Sequence, residues 1–353
     1  MFLKNCWYVC AEPEEITRAP FPRTICDERI VFWRKMDGTP VAFEDRCCHR
    51  RMPLQKGTVI EDRLRCHYHG LEFDATGACV HVPGQTTIPP GAKVRAYPVV
   101  EKYNWIWIWM GEAALADEAM ITPYPWKTDD AWGDKGTYFH VKCNYRLVVD
   151  NLLDLSHLAF VHASTIGNAA TAESASVRTL KDDDSVTVAR WTIGNNPPPT
   201  YQKMAGWDPD IIVDRWQIIE FTMPGAVRLF TGAAPGAAEG QEFGWHDLGH
   251  ATPEGGIGLR NLNAITPETE TTCHYFWSQA QDVQPQSGEV TDALYDQVLT
   301  AFHQDWEVFE MQQGNWDDRP VIDINADAGP VSARQLMDRR LAEEGQATQV
   351  AAE

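Results

Sequence analysis

The chain has 353 residues, enough for two domains, and 44% of them are hydrophobic, which suffices for each half to bury a core. Its 50 acidic and 30 basic side chains give a formal net charge of −20, which argues against nucleic acid or an anionic membrane as a partner. The N-terminus lacks a basic segment followed by a long apolar run, so neither a signal peptide nor a membrane span is expected.

Residues 1–112 predict a small β-domain. Short runs of β-branched and aromatic residues at Ile30–Trp33 and Val41–Phe43 are separated by the turn signal Asp37-Gly38. Farther along the chain, Trp105–Trp109 is aromatic or branched at every position, which is typical of a strand buried on both faces.

Two short loops inside this domain each carry one thiol and one imidazole. Cys47 and His49 are followed, after sixteen intervening residues, by Cys66 and His69. Cys-x-His paired with Cys-x-x-His is typical of a Rieske [2Fe–2S] cluster, in which the thiolates bind one iron and the imidazoles the other. His67 directly follows Cys66, so in an extended loop its side chain points away and His69 is the better ligand. The spacing therefore predicts a centre that transfers single electrons.

Zinc is the alternative occupant, because two cysteines and two histidines also satisfy tetrahedral zinc. Zinc sites usually pair Cys-x-x-Cys with His-x-x-x-His, whereas each loop here mixes the two residue types, so the spacing favours the iron–sulfur cluster. The chain has nine cysteines, and those outside the two loops are scattered without framework spacing, which indicates a reducing, cytoplasmic compartment.

The composition changes after the β-domain. Residues 113–137 are rich in Pro, Asp and Ala without a period and predict a linker, so residues 138–353 form the second predicted domain. Strand patterns in this domain are found at Ser185–Ile193, Arg215–Pro224, Ala226–Thr231 and Thr271–Ser278.

Loops and a final helix complete the predicted second domain. Residues 194–214 and 233–249 contain strong breaker signals and predict long loops to which the sequence assigns no role. Ser332 and Gln335 form a capping-box pattern that predicts the start of the last helix, and the tail from Gly345 is expected to fray.

A helical, largely apolar stretch from Asp150 to His162 contains two carboxylates, an amide at Asn151 and two imidazoles. Polar groups of this kind are costly to bury without partners. Asp154 and His157 are three residues apart and therefore neighbours on a helix. His157 and His162 are five apart, so both reach one metal only if the helix ends or distorts between them. A structural role for the two histidines is the alternative.

A second helix, predicted over Thr291–Gly314, carries a carboxylate on its apolar face. The apolar stripe consists of Leu294, Val298, Ala301, Phe302 and Phe309. Asp305 lies in the centre of this stripe, so it is expected to be buried and to require a cation. Two histidines with one carboxylate are typical of non-haem Fe(II) oxygenases. A buried ion pair with an arginine is the alternative.

These patterns together resemble the large subunit of the Rieske non-haem iron oxygenases, and within that family the vanillate O-demethylase group. The resemblance rests on Asp150–His157, Val161–Ser164, Thr266–Glu270, Tyr275–Trp277 and Gln304–Asp305. It implies an α+β fold, with an N-terminal Rieske [2Fe–2S] β-domain followed by a helix-grip catalytic domain. In that domain an antiparallel sheet and helices enclose the substrate cavity.

The resemblance also implies roles for single residues. It assigns the cluster to Cys47, His49, Cys66 and His69, and a mononuclear Fe(II) to His157, His162 and Asp305. It implies that Asp154, in the catalytic stretch with Asn151, bridges the two centres across a subunit boundary of a homotrimer. Asn263 occupies a position where a relative has a substrate contact, and a polar strand residue is the alternative. Cys48 stands where the family usually has proline, and this departure is expected to affect the reduction potential of the cluster but not its ligands.

The activity implied is that of an oxygenase that uses O₂ as cosubstrate and electrons from NAD(P)H. A separate ferredoxin or flavin reductase must deliver them, because no Gly-rich nicotinamide or flavin fingerprint is present. The expected small aromatic substrate is a vanillate-like methoxybenzoate, whose O-methyl group leaves as formaldehyde. N-dealkylation and ring hydroxylation are the alternatives among enzymes. Outside enzymes, the alternative is a Rieske electron carrier fused to a ligand-binding domain.

Overall fold

The computed structural model describes residues 1–162, 175–236, 252, 255–317 and 319–352. It divides into two compact units, the first comprising Met1–Ile121 with Thr266–Glu270 and the second Thr122–Ile265 with Thr271–Glu353. Antiparallel sheets and helices build the chain, which confirms the predicted α+β class. Within the described ranges, no helix is both long and apolar enough to cross a membrane.

The first unit is built from short antiparallel strands. They are β1 (Trp7–Ala11), β2 (Phe21–Ile25), β3 (Glu28–Arg34), β4 (Pro40–Glu44), β5 (Thr58–Ile60), β6 (Arg63–Arg65), β7 (Glu72–Asp74), β8 (Cys79–His81), β9 (Ala96–Tyr97), β10 (Val99–Lys102) and β11 (Trp105–Trp109). They form three sheets, ordered β1-β11-β10, β2-β3-β4-β9 and β5-β6-β7-β8. All five residues of β11 are buried, as its uninterrupted apolar sequence predicts.

The second unit contains one seven-stranded sheet and most of the helices. Its strands are β12 (Gly133–Val141), β13 (Ser176–Lys181), β14 (Ser185–Asn195), β15 (Val213–Thr222), β16 (Ala226–Ala234), β17 (Ile257–Thr269) and β18 (Thr272–Gln281). The helices are α1 (Tyr145–Leu153), α2 (Leu158–Val161), α3 (Pro199–Ala205), α4 (Gly288–Gly314) and α5 (Ala328–Ala352). The strand order is β12-β18-β17-β16-β15-β14-β13, antiparallel in each of the pairings described.

Helices pack on one side of this sheet, which we call the helix face. Phe302 of α4 stacks on Tyr275 of β18 with ring centroids 5.7 Å apart. At the other end of the sheet, Gly329 of α5 lies so close to Val188 of β14 that a Cβ on the glycine would be 2.4 Å from the valine side chain. Because side chains alternate along a strand, every second residue from Val188 or Tyr275 faces the helices.

Several element boundaries differ from those predicted. β12 begins at Gly133, inside the predicted linker, because its partner β18 lies more than a hundred residues away and is invisible to local sequence patterns. α3 occupies part of the predicted 194–214 loop, and β17 was missed altogether. The predicted 233–249 loop begins inside β16, and its residues 237–249 lie outside the described ranges.

The last helix also differs from its prediction. It begins at Ala328, and Ser332 lies one turn inside it, where its hydroxyl donates to the Ala328 carbonyl instead of capping the N-terminus. The expected fraying from Gly345 is wrong as well, since the helix continues to Ala352.

Candidate active site

The two predicted cluster loops in the first unit fold alike. Cys47 N–H donates to the Met52 carbonyl at 2.9 Å, and the Cys47 carbonyl accepts from Arg51 N–H at 3.0 Å. The second loop repeats both bonds, from Cys66 to Leu71 at 2.8 Å and from Gly70 to Cys66 at 3.1 Å. The fifth residue of each loop is left-handed, with φ of 59° at Arg51 and 74° at Gly70.

The cysteine and histidine side chains of the two loops differ in their burial. Cys47 and Cys66 are buried, whereas His49 and His69 are exposed with ring centroids 4.5 Å apart. Burial raises the pKa of the Cys47 thiol to about 12, and the adjacent Cys66 thiol contributes to the rise. A thiol with so high a pKa ionises near neutral pH only if a cation compensates its charge. Two thiols below two facing imidazoles therefore suit a mixed Cys/His cluster.

The stretch predicted to be helical from Asp150 to His162 is interrupted between α1 and His157, the first histidine of the candidate iron site. α1 ends at Leu153, and a 3₁₀ turn over Leu155–His157 follows. The Asp154 carboxylate caps this turn by accepting from Ser156 N–H at 2.8 Å and from the Ser156 hydroxyl at 2.9 Å. Between the two histidines, the 3₁₀ turn ends at His157 and the short helix α2 ends at Val161, so the expected distortion is present.

Asp154 contacts His157 through its backbone carbonyl and not through its carboxylate. The ring Nδ1 of His157 lies 2.6 Å from the Asp154 backbone carbonyl, whereas the Asp154 carboxylate is directed to Ser156. A carbonyl only accepts, so His157 Nδ1 carries the proton and Nε2 keeps a free lone pair.

His162 follows the end of α2 and is held in the same way. Its Nδ1 lies 2.8 Å from the Gln304 amide oxygen, so Nδ1 carries the proton and Nε2 is the nitrogen on the side of Asp305. The sequence patterns gave Gln304 no role of its own. Its position next to Asp305 is the feature from which a place at this site could have been predicted.

Asp305 brings the two histidines together. It is 4% exposed, as the apolar stripe of α4 predicts. Its Oδ1 lies 3.6 Å from His157 Nε2, 3.1 Å from His162 Nε2 and 3.2 Å from Asn151 Nδ2. In the part of the chain that is described, no arginine or lysine pairs with Asp305, so the alternative of a buried arginine ion pair is wrong.

The electrostatics of the two imidazoles follow from their surroundings. Burial lowers the pKa of His157, against the opposing effect of Asp305. Burial acts in the same direction on His162, but its closer bond to the Asp305 carboxylate outweighs it and raises the pKa. One donor atom from each of the three residues lies within 4.8 Å of the others. Two neutral imidazole nitrogens and a carboxylate on one side of a centre fit a mononuclear Fe(II) with open positions.

Asn263 is completely buried on the helix face of β17. Its Nδ2 donates to Asn261 Oδ1 at 2.9 Å and to the Val227 carbonyl at 3.1 Å, and its Oδ1 accepts from the Tyr275 hydroxyl at 2.7 Å. These hydrogen bonds occupy both Nδ2 and Oδ1 of the Asn263 side chain, so a substrate would have to compete with them. A substrate contact for Asn263 stays a prediction.

Comparisons with known proteins cover both units. Residues 141–343 match the family model described as the vanillate O-demethylase oxygenase C-terminal domain, and residues 6–98 match the Rieske [2Fe–2S] domain. The chain is 39% identical to a putative toluene-4-sulfonate monooxygenase iron–sulfur subunit of Comamonas testosteroni, covering 99% of both chains. It is 37% identical to a vanillate O-demethylase oxygenase subunit of a Pseudomonas strain, covering 99% of this chain and 98% of the relative. A crystal structure of dicamba monooxygenase bound to 3,6-dichlorosalicylic acid matches with a TM-score of 0.86 and 31% identity, over 98% of this chain and 99% of that one.

Proposed function

The chain belongs to the Rieske non-haem iron oxygenases with a vanillate O-demethylase type of catalytic domain, and on this premise we propose that it O-demethylates a methoxybenzoate. It is the oxygenase component of a multicomponent monooxygenase, so a separate reductase supplies its electrons. The observation that carries the proposal is the convergence of His157, His162 and Asp305.

We assign the cofactors to the residues that fit them. Cys47, Cys66, His49 and His69 would hold the [2Fe–2S] cluster, and His157, His162 and Asp305 would hold the mononuclear iron. When bound, the two groups supply single-electron transfer and O₂ activation. The net reaction consumes the aryl methyl ether, O₂, NAD(P)H and a proton. It yields the phenol, formaldehyde, water and NAD(P)⁺, because the hydroxylated methyl group is a hemiacetal that collapses.

The protein's own residues orient the ligands for this reaction. The Asp154 carbonyl and the Gln304 amide oxygen hold Nδ1 of His157 and His162, so both Nε2 atoms face Asp305 and are available as metal ligands. Asn151 donates to Asp305 and limits the rotation of that carboxylate. Such contacts raise ligand basicity and hold the ring orientation before a metal binds.

We further propose the head-to-tail homotrimer in which Asp154 of one subunit meets the cluster loops of the next. Two surface features support it. The depression beside the first ligand loop is lined by Glu44 and by the cations Arg46, Arg50, Arg51, Lys93 and Arg95. The groove that contains Asp154 is lined by Asp150, Asp317, Asp323 and Asp327 as well as Arg319 and Arg334. A mainly basic surface and a mainly acidic one on the same chain are complementary between copies.

A second candidate reaction is hydroxylation of the methyl group of an arenesulfonate. The identity of 39% to the toluene-4-sulfonate relative favours it. The oxygen atom would enter a methyl C–H bond as in O-demethylation, but the product would be a stable alcohol and no formaldehyde would form.

The test is turnover by the purified oxygenase with a reductase and NADH. Vanillate should give protocatechuate and formaldehyde in equal amounts, and Asp305→Ala should give neither. Conversion of toluene-4-sulfonate to its benzylic alcohol without vanillate turnover would establish the second candidate. Exclusive reaction of N-alkyl aromatics, or a cis-diol product, would refute both.

A further inference from the structure

Two arginines lie on adjacent strands of the catalytic sheet and on the same face. Arg190 of β14 pairs with Gln217 of β15, and Thr192 pairs with Arg215. Residues paired directly across antiparallel strands share a face, as do residues two apart on one strand. Arg190 is two residues from Val188, which contacts α5, so Arg190 and Arg215 both belong to the helix face.

Arg215 has no anionic partner within the described ranges. None of the described residues forms an ion pair or hydrogen bond with its guanidinium, whose Nε is buried without a hydrogen-bond partner. The guanidinium instead lies over the ring of Tyr201 in α3, 5.4 Å from its centroid. Tyr201 is itself tied to the helix face by its hydroxyl, which lies 3.3 Å from the Thr231 hydroxyl. The ring therefore orients the guanidinium but does not neutralise it.

Arg190 links the pair to the candidate iron site. Its Nη1 donates to the Leu155 carbonyl at 3.1 Å, two residues before His157, and it lies 3.4 Å from Gln217 Oε1. Arg190 is 8% exposed. Burial and then the charge of Arg215 lower the pKa of Arg190, while Asp154 opposes them. Two cations thus lie near one another beside the loop that presents His157.

The described part of the sheet offers this pair no negative charge. On the helix face, the described strands β12 to β18 contain no aspartate or glutamate. The polar groups they present there toward the middle of the sheet are neutral, among them Gln217, Thr231, Asn261 and Asn263. Arg215 is partly buried and has no anionic partner in the described ranges, so its guanidinium can bind an anion, and planar oxyanions match the donor geometry of arginine.

We infer that Arg215, together with Arg190, binds the anionic group of the aromatic substrate. The ligand class is an arene that carries a carboxylate or a sulfonate, with the oxyanion at the arginines and the oxidised carbon toward His157. This inference rests on the proposed function and assigns recognition of the substrate's anionic group to particular residues. Arg215 is thereby a specificity-determining residue.

The experiment measures binding separately from turnover. Three probes differ only in the polar group: 4-hydroxy-3-methoxybenzoate, the corresponding benzenesulfonate, and the neutral benzamide. Their affinities for the wild-type holoenzyme and for Arg215→Gln are measured by calorimetry, and their turnover by formaldehyde release. Arg215→Gln should weaken binding of the preferred anion roughly 10- to 100-fold, since a hydrogen bond to a charged group is lost, and leave benzamide binding unchanged.

Two further variants separate recognition from stability. Arg215→Lys keeps the charge and should restore part of the affinity. Arg228→Gln is the matched control, because Arg228 lies on the opposite face of the sheet and pairs with Glu220 at 2.9 Å. It should leave the preference for an anion intact. The wild-type affinities for carboxylate and sulfonate identify which anion is used.

The outcomes distinguish this inference from the proposed function. Equal wild-type affinity for anionic and neutral probes, no binding of either anionic probe, or an unchanged preference in Arg215→Gln overturns the inference, whatever the turnover. Anion-selective binding that depends on Arg215, without any formaldehyde, supports the inference and refutes O-demethylation.

Discussion

His162 and Gln304 are joined by a 2.8 Å hydrogen bond from the imidazole Nδ1 to the amide oxygen. Gln304 precedes Asp305 in α4, so one turn of helix supplies both a carboxylate and the group that orients an imidazole beside it. Gln304→Ala should lower iron affinity about 10- to 100-fold, as loss of such orienting contacts usually does. Competition with a chelator measures the affinity. Gln297→Ala, in the same helix, is the control. Equal affinity in the Gln304 and Gln297 variants would remove Gln304 from the site.

The cluster ligands can be tested against a neighbouring cysteine. Cys47 is buried beside Cys66, whereas Cys48 is exposed. Cys47→Ser should abolish the brown colour and the low-average-g EPR signal of the dithionite-reduced protein, whereas Cys48→Ser should retain both. Iron and sulfide analysis gives the stoichiometry. A colourless wild-type protein with stoichiometric zinc would contradict the iron–sulfur assignment.

Asp154→Asn should separate the structural role of this residue from its proposed role between subunits. Asparagine also caps helical turns, so the turn over Leu155–His157 and the iron content should persist. The amide carries no charge and offers one acceptor oxygen instead of two, so a hydrogen bond to an imidazole of the neighbouring subunit's cluster should weaken and reoxidation of the pre-reduced protein should slow sharply. Stopped-flow absorbance after mixing with substrate and O₂ measures that rate. Reoxidation at the wild-type rate with unchanged iron would exclude the bridging role.

Tyr275→Phe should destabilise the catalytic unit by about 1–3 kcal/mol, because it leaves the buried Asn263 Oδ1 without its 2.7 Å donor. Denaturant unfolding measures the loss. Tyr295→Phe is the control: that ring stacks 5.4 Å from Trp277, and its hydroxyl has no hydrogen bond in the described structure. Losses of equal size in the two variants would argue against the buried network. A change in substrate KM confined to Tyr275→Phe would support the predicted substrate contact of Asn263.

Much of the candidate chemistry is local in sequence and was therefore predictable. The spacing of Cys47, His49, Cys66 and His69 restricts the possible metal centres to an iron–sulfur cluster or zinc, because each loop is too short to place its ligands far apart. The burial of Asp305 followed from helical periodicity alone, because a position in the centre of an apolar stripe faces the core whatever that core contains.

Tertiary structure decided what depends on distant segments. The partner of His157 Nδ1 is a backbone carbonyl, which only the turn after α1 determines. The first five residues of β12, Gly133 to Thr137, were assigned to a linker because their strand partner is the distant β18. Arg190 and Arg215 are 25 residues apart in sequence, and only the register of β14 on β15 places them on one face near the Leu155 carbonyl. Local periodicity determines which side of an element is buried, whereas strand pairing determines which buried groups meet.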